Sequence, residues 1–220
     1  FLNVPIHAKA LEKQSAGYYK DLREGFVYIK NHSFVKTSFL FNSIFLILAA
    51  PAAFLTPLQV TRSFGGDVWR LTAIEIVFSV GMTLGGIFIA AWGGFKNKAY
   101  TMSLSTLVIG VCTSALGIVP VFWLYLFFMG LIGFAIPVFN TPFTVLIQRK
   151  VEGDFLGRVF GVLNMITSIT MPFGMLVFGP MSDYVRIEWM LIGTGSVLII
   201  ESLFMLGNKV LIEAGKPEPR

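Results

Sequence analysis

Charged side chains are scarce in this 220-residue chain, at 13% of the total, about half the share usual in a globular domain. With 55% hydrophobic residues beside them, too little polar surface remains to keep soluble domains of this length in water. Cysteine is nearly missing as well. The lone Cys112 cannot close an internal disulfide, and its place in an apolar run makes it a small packing residue. Only two histidines occur, His7 and His32, both ahead of the first long apolar run. No metal-ligand cluster, glycine-rich phosphate loop or nucleophile–base pair can be assembled from what remains, so the sequence calls for no metal or cofactor and argues against an enzyme. The N-terminal segment is polar and charged, without the apolar core of a secretory signal. Phe1 in place of Met suggests a piece of something longer.

What the chain has in abundance is long apolar runs. A hydrocarbon core of roughly 30 Å takes about 20 helical residues. Thr37–Val60, Leu71–Ala91, Ala99–Val119, Phe122–Ile147, Val159–Phe178 and Trp189–Leu206 all meet that length. The runs are continuous, not alternating over about ten residues as barrel strands would be. The fold class is therefore an all-α membrane protein: a charged lead-in over 1–36, a six-helix transmembrane domain over 37–206 and a tail over 207–220. The fourth run is longer than a span requires, so its prolines predict a tilt or kink. Short connections, with Pro120–Val121 the tightest, predict that sequential helices are antiparallel neighbours.

Lysine and arginine sort by side. Arg62, Arg70 and Arg186 fall on one side, and the other fourteen of the 17 fall on the side that holds both termini. The positive-inside rule then places both termini in the cytoplasm of a multi-pass cell-membrane protein. The net charge of +5 reads as topology and contact with anionic lipid, not as binding of nucleic acid. In the lead-in, Leu22, Phe26 and Ile29 recur at helical spacing among charged residues, which predicts an amphipathic helix lying on the membrane or docked on the protein.

Polar residues inside spans are costly in hydrocarbon and should face protein or water. They fall in stripes: Asn42, Ala49, Ala53, Thr56 and Gln59 in the first span; Glu75, Ser79, Met82 and Gly86 in the second; Pro137, Asn140, Thr141, Thr144 and Gln148 in the fourth; Asn164, Thr167, Ser168 and Met171 in the fifth. The third and sixth are weaker apart from Glu201. Such stripes serve helix packing as readily as a pathway, and Gly81-x-x-x-Gly85 reads as packing. Prolines add a correspondence: Pro51 and Pro57 in the first span match Pro137 and Pro142 in the fourth, and these helices enter from opposite sides. A three-helix unit followed by its inverted copy would place interrupted, hinge-bearing helices there, beside a substrate path. Glu75 and Glu201 are the carboxylates within spans; ionisation there costs desolvation energy, which makes them candidate proton carriers. No Lys or Arg lies deep enough to pair with either.

Three stretches carry a closer likeness: Asp21-Leu22-Arg23-Glu24-Gly25-Phe26, Trp92-Gly93-Gly94-Phe95-Lys96-Asn97-Lys98 and Gly157-Arg158-Val159. With six helices in two inverted threes, the chain resembles the C-terminal half of a major facilitator superfamily transporter, and these stretches are similar to the macrolide-efflux type of drug:proton antiporter. The resemblance implies that residues 1–36 end a central loop and that an N-terminal six-helix half is missing. It also implies alternating access around a central cavity, with protons and a small hydrophobic substrate as the partners. Gly85, Gly86 and the stretch through Gly94, Lys96 and Lys98 occupy the place of the superfamily's inner-loop signature. Ala90, Ala91 and Trp92 stand where an Asp–Arg pair is expected, which departs from an acid-based latch. A transporter of another small solute, or a membrane assembly subunit, stays open as the alternative.

Overall fold

The computed structural model describes residues 18–217, all of whose regular structure is helical. The N-terminal part of the lead-in lies outside these residues. Helix α1 covers Tyr18–Asn31. The first span is split into α2 (Ser33–Phe54) and α3 (Thr56–Phe64). The other spans are α4 (Val68–Trp92), α5 (Lys98–Leu116), α6 (Phe122–Lys150), α7 (Gly153–Tyr184) and α8 (Ile187–Gly207), followed by the short α9 (Lys209–Gly215). Among the described residues six helices, counting α2 and α3 as one, are long and apolar enough to cross a membrane. Exposed Trp69, Trp123, Tyr184 and Trp189 gather at the end opposite the termini, as aromatic side chains do where lipid meets water.

Proline explains why the first span breaks. Pro51 and Pro57 have no N–H to donate one turn back, and the helix parts between them at Leu55, whose N–H still reaches the Pro51 carbonyl at 2.9 Å. The fourth span carries the matching pair, yet α6 runs through Pro137 and Pro142 as one helix of 29 residues. The matched prolines therefore interrupt one of the two helices.

The packing departs from the sequential order predicted above. Helix α4 packs most extensively on α6, α5 on α8 and α6, and α2 on α7 and α8; among sequential spans α5 and α6 form the large contact. Glycine accounts for the tightest of these pairs. A Cβ on Gly81 or Gly85 of α4 would run into the α6 backbone at Gly130 and Phe134, and one on Gly133 would meet the Phe78 carbonyl, so the two backbones touch as small-residue motifs allow. On the other side of the bundle Gly110 and Gly195 do the same for α5 and α8. Exchanging spans one and four, two and five, and three and six maps the set of packed pairs onto itself, the pattern required of two inverted three-helix repeats.

The lead-in helix docks on protein. Arg158 of α7 donates from Nε to Asp21 at 2.8 Å and lies 3.1 Å from Glu24, while a Cβ on Gly25 would sit 2.8 Å from the Arg158 carbonyl. Tyr28 stacks on His32 and Phe155, with centroids 3.8 and 4.6 Å away, and its hydroxyl accepts from the Glu152 N–H at the start of α7. Two of the three stretches that carry the family likeness thus meet. Ile29 is buried and Leu22 packs on the core, whereas Phe26 is exposed. The three do not share one outward face, because Arg158 draws the acidic side of the helix inward.

The third stretch turns at the same end. Gly93 and Gly94 adopt φ of 73° and 78°, a left-handed geometry that suits glycine, and the Gly93 N–H closes α4 on the Ile89 carbonyl. Lys98 donates to the Gly93 carbonyl, Lys96 is exposed, and Asn97 caps α5 while donating to the Ile212 carbonyl of α9 at 2.9 Å.

Candidate functional site

A cavity of about 360 Å³ opens among α2, α3, α4, α5 and α6. Its wall is mostly apolar, with Phe45, Phe78, Met129, Ile132 and Ile136 as the large contributors. Four residues supply its polar side chains: Thr56, Glu75, Thr113 and Asn140. The broken first span shapes one side, since Ala49, Ala52, Ala53 and Thr56 straddle the break at Leu55. The Thr56 hydroxyl donates to the Ala52 carbonyl, one of the acceptors bared where the helix parts. Small side chains here keep the space open.

Glu75 and Thr56 also line a second cavity of about 340 Å³ toward the end bearing Trp69, bounded by Pro57, Leu71, Thr72 and Ile74. The two residues therefore stand between an outer vestibule and the larger chamber. Thr113 is fully buried, and its hydroxyl has no hydrogen-bond partner among the described residues. A buried hydroxyl without a partner is unfavourable, which sets Thr113 apart from Ser103, Ser105 and Thr106 of its helix, whose hydroxyls donate to carbonyls. The spacing of polar residues does not single out Thr113. Its stripe, Thr106, Ile109 and Thr113, reads as ordinary packing, and Thr106 donates to its own helix at the Met102 carbonyl.

The other residues picked out from the sequence go elsewhere. Asn42 is buried on α2 outside the chamber wall. Gln59 is a strut: its Nε2 donates to the Leu116 carbonyl at 2.8 Å and its Oε1 accepts from the Tyr125 hydroxyl at 2.9 Å, tying α3 to α5 and α6. Replacing Gln59 with Leu strands both partners and is expected to cost about 1–3 kcal/mol, read as a lower thermal unfolding midpoint of the protein in detergent. Thr61→Ala, whose hydroxyl is exposed and bonds only its own helix, should leave the midpoint unchanged.

Thr141, Asn164 and Thr167 are exposed and Thr144 is half-buried; none lines the chamber. Pro51 and Pro142 are buried, Pro137 is half-buried and Pro57 is exposed beside the vestibule. Gly85 lies against the Phe134 backbone, whereas a Cβ on Gly86 would meet nothing within 4 Å, and one on Gly94 would press on the Thr101 hydroxyl at 2.9 Å. Glu201 is 5% exposed, and neither carboxyl oxygen has a hydrogen-bond partner among the described residues. It borders a separate cavity of about 310 Å³ between α2 and α8, next to Phe41, Ile44 and Phe204. The two span carboxylates are thus not brought together.

Residues 5–219 match the sequence profile of the Major Facilitator Superfamily. The chain belongs to that family. Macrolide efflux protein A of Streptococcus pyogenes is 21% identical to this superfamily chain over 200 residues, covering 90% of it and 49% of the relative. The protein of the same name from Enterococcus faecalis is 22% identical over 176 residues, 79% of the chain and 54% of the relative. An uncharacterized MFS-type transporter of Bacillus subtilis (strain 168), YfiS, is 26% identical over 202 residues, 88% and 47% respectively. The superfamily chain spans about half the length of these curated relatives. No solved structure matches it significantly. Membership makes it a membrane transporter sequence by kinship, and points away from an enzyme.

Proposed function

We infer that the chain is the C-terminal half of a secondary active transporter that exports small hydrophobic compounds, macrolides among them, in exchange for protons by alternating access. The chamber at the break in the first span carries this reading: apolar walls, a few polar anchors and one carboxylate, Glu75, are the make-up of a pocket for a greasy solute with few polar groups. The names of the relatives from Streptococcus pyogenes and Enterococcus faecalis support the choice of cargo.

A second observation supports a missing mate. Asn140, Thr141, Asn164, Thr167 and Ser168 are exposed on α6 and α7, where lipid would penalise them. A six-helix N-terminal half laid over that face, most simply on the same polypeptide, turns it into the wall of a shared aqueous crevice. The excess of Lys and Arg on the terminal side supports placing both termini in the cytoplasm and the protein in the cell membrane. Glu201, without a hydrogen-bond partner among the described residues, and Glu75, which faces the vestibule, are the candidate proton carriers in this arrangement.

The reading is tested at Asn140. In the full-length protein with Cys112 replaced by Ser, Asn140→Cys is expected to react with a membrane-impermeant thiol reagent, and the labelled protein to lose export. Absence of labelling under every substrate and pH condition would return the α6 stripe to packing and remove the crevice.

A further inference from the structure

Helix α1 has two opposed faces whose charges are sorted by sign. Asp21 and Glu24 are half-buried and bound to Arg158, and Gly25, Tyr28 and Ile29 are buried behind them. On the opposite side Arg23, Phe26, Val27 and Lys30 recur at steps of three, one and three, which puts all four on one stripe. All four are exposed, Phe26 at 47% and Val27 at 50%. The acids are paired with Arg158 on the inner side; the outward stripe keeps two cations flanking two apolar side chains.

Connectivity sets the depth at which this stripe sits. Only His32 separates α1 from α2, the first half of a membrane span, so α1 lies at the bilayer surface on the terminal side. Arg23 and Val27 also edge a groove of about 460 Å³ that runs past Glu24 and Tyr28 to Asn31, His32 and Phe155, with the Glu24 carboxylate turned to Arg158. We propose that the Arg23–Phe26–Val27–Lys30 face of α1 is a docking surface for an anionic phospholipid bilayer, the two cations meeting lipid phosphates while Phe26 and Val27 enter the acyl boundary. The charge pattern decides this occupant: the net field of the face is positive, as an anionic leaflet requires, and an apolar pair between cations matches the depth profile of an interfacial helix. Because the opposite face clamps the start of α7 through Arg158, Tyr28 and Phe155, lipid on one side of α1 bears on the fifth span on the other.

The test uses the full-length protein with Cys112→Ser and Val27→Cys carrying a nitroxide, in nanodiscs of phosphatidylcholine alone or with phosphatidylglycerol. Electron paramagnetic resonance reads access to oxygen, which concentrates in lipid, against a water-soluble nickel chelate. In phosphatidylglycerol discs the label should favour oxygen, and added salt should reverse this. Arg23→Gln with Lys30→Gln should reduce the inserted population roughly twenty-fivefold, two basic residues at about fivefold each. Both positions are exposed, so the variant folds. A label open to nickel in both lipids overturns the proposal, as does one closed to both reagents whatever the lipid, which would mark a protein partner on this face.

Discussion

A Glu75→Gln version of the full-length protein is expected to lose export driven by a pH gradient, while export down the cargo's own gradient persists. Glutamine keeps the shape and hydrogen-bonding capacity of the side chain and removes the ionisable proton. Glu75 is the carboxylate on the chamber wall and also faces the vestibule, so it is reached by water and by cargo alike. A proton there biases the two access states only by its differential affinity for them. Removing about 1.4 kcal/mol of that bias lowers the driven rate about tenfold. Glu201→Gln, at a site without counter-ion or hydrogen-bond partner among the described residues, is the companion measurement. Uptake of a fluorescent substrate into inverted vesicles, with and without an imposed gradient, reads both. Unchanged driven export in both variants takes these acids out of the mechanism.

The second large effect contrasts adjacent glycines. Gly85→Ala places a methyl 2.8 and 2.9 Å from the Phe134 carbonyl carbon and Cα, backbone atoms that cannot rotate away. The α4–α6 pair must open to admit it, an overpacking cost of about 1–3 kcal/mol. Gly86→Ala meets open space and should change stability by less than about 0.5 kcal/mol. Thermal unfolding of the two variants in the same detergent separates them. Alanine favours a helix more than glycine does, so equal shifts in the two variants would mean that close approach does not set the role of Gly85.

Much of the architecture is written in run length. A stretch such as Leu71–Ala91 can do little but span lipid, and the observed α4 extends it by a turn or less at each end. Prolines 51 and 57 foretell the break at Leu55; their counterparts in α6 do not break the helix. Partnering was harder to read. Short loops suggest sequential neighbours, but the glycines of α4 and α6 select a non-sequential contact, and which helix a glycine faces is a tertiary fact. The same holds for α1, where spacing alone groups Leu22, Phe26 and Ile29, and the distant Arg158 decides which side turns inward. Of the residues marked by spacing, Thr56, Glu75 and Asn140 meet in the chamber. Gln59 looks identical on a helical wheel and proves to be a strut, since only the three-dimensional positions of Tyr125 and Leu116 reveal its bonds. Thr113 was hidden among the other hydroxyls of its span, such as Ser103, Ser105 and Thr106, which serve helix packing as readily as a site.

The glycine seam between α4 and α6 has no equal in its pseudo-symmetric counterpart, α2 with α7, where contact is far sparser and a methyl on Gly174 would touch side chains, not backbone. Two pseudo-symmetric limbs thus differ in how tightly they are joined. Joined backbone to backbone, α4 and α6 are expected to travel as a single plank, with bending concentrated in the first and fifth spans. Probes pinned across the seam would hold a fixed separation and serve as an internal ruler, against which any swing of α2 or α7 can be calibrated.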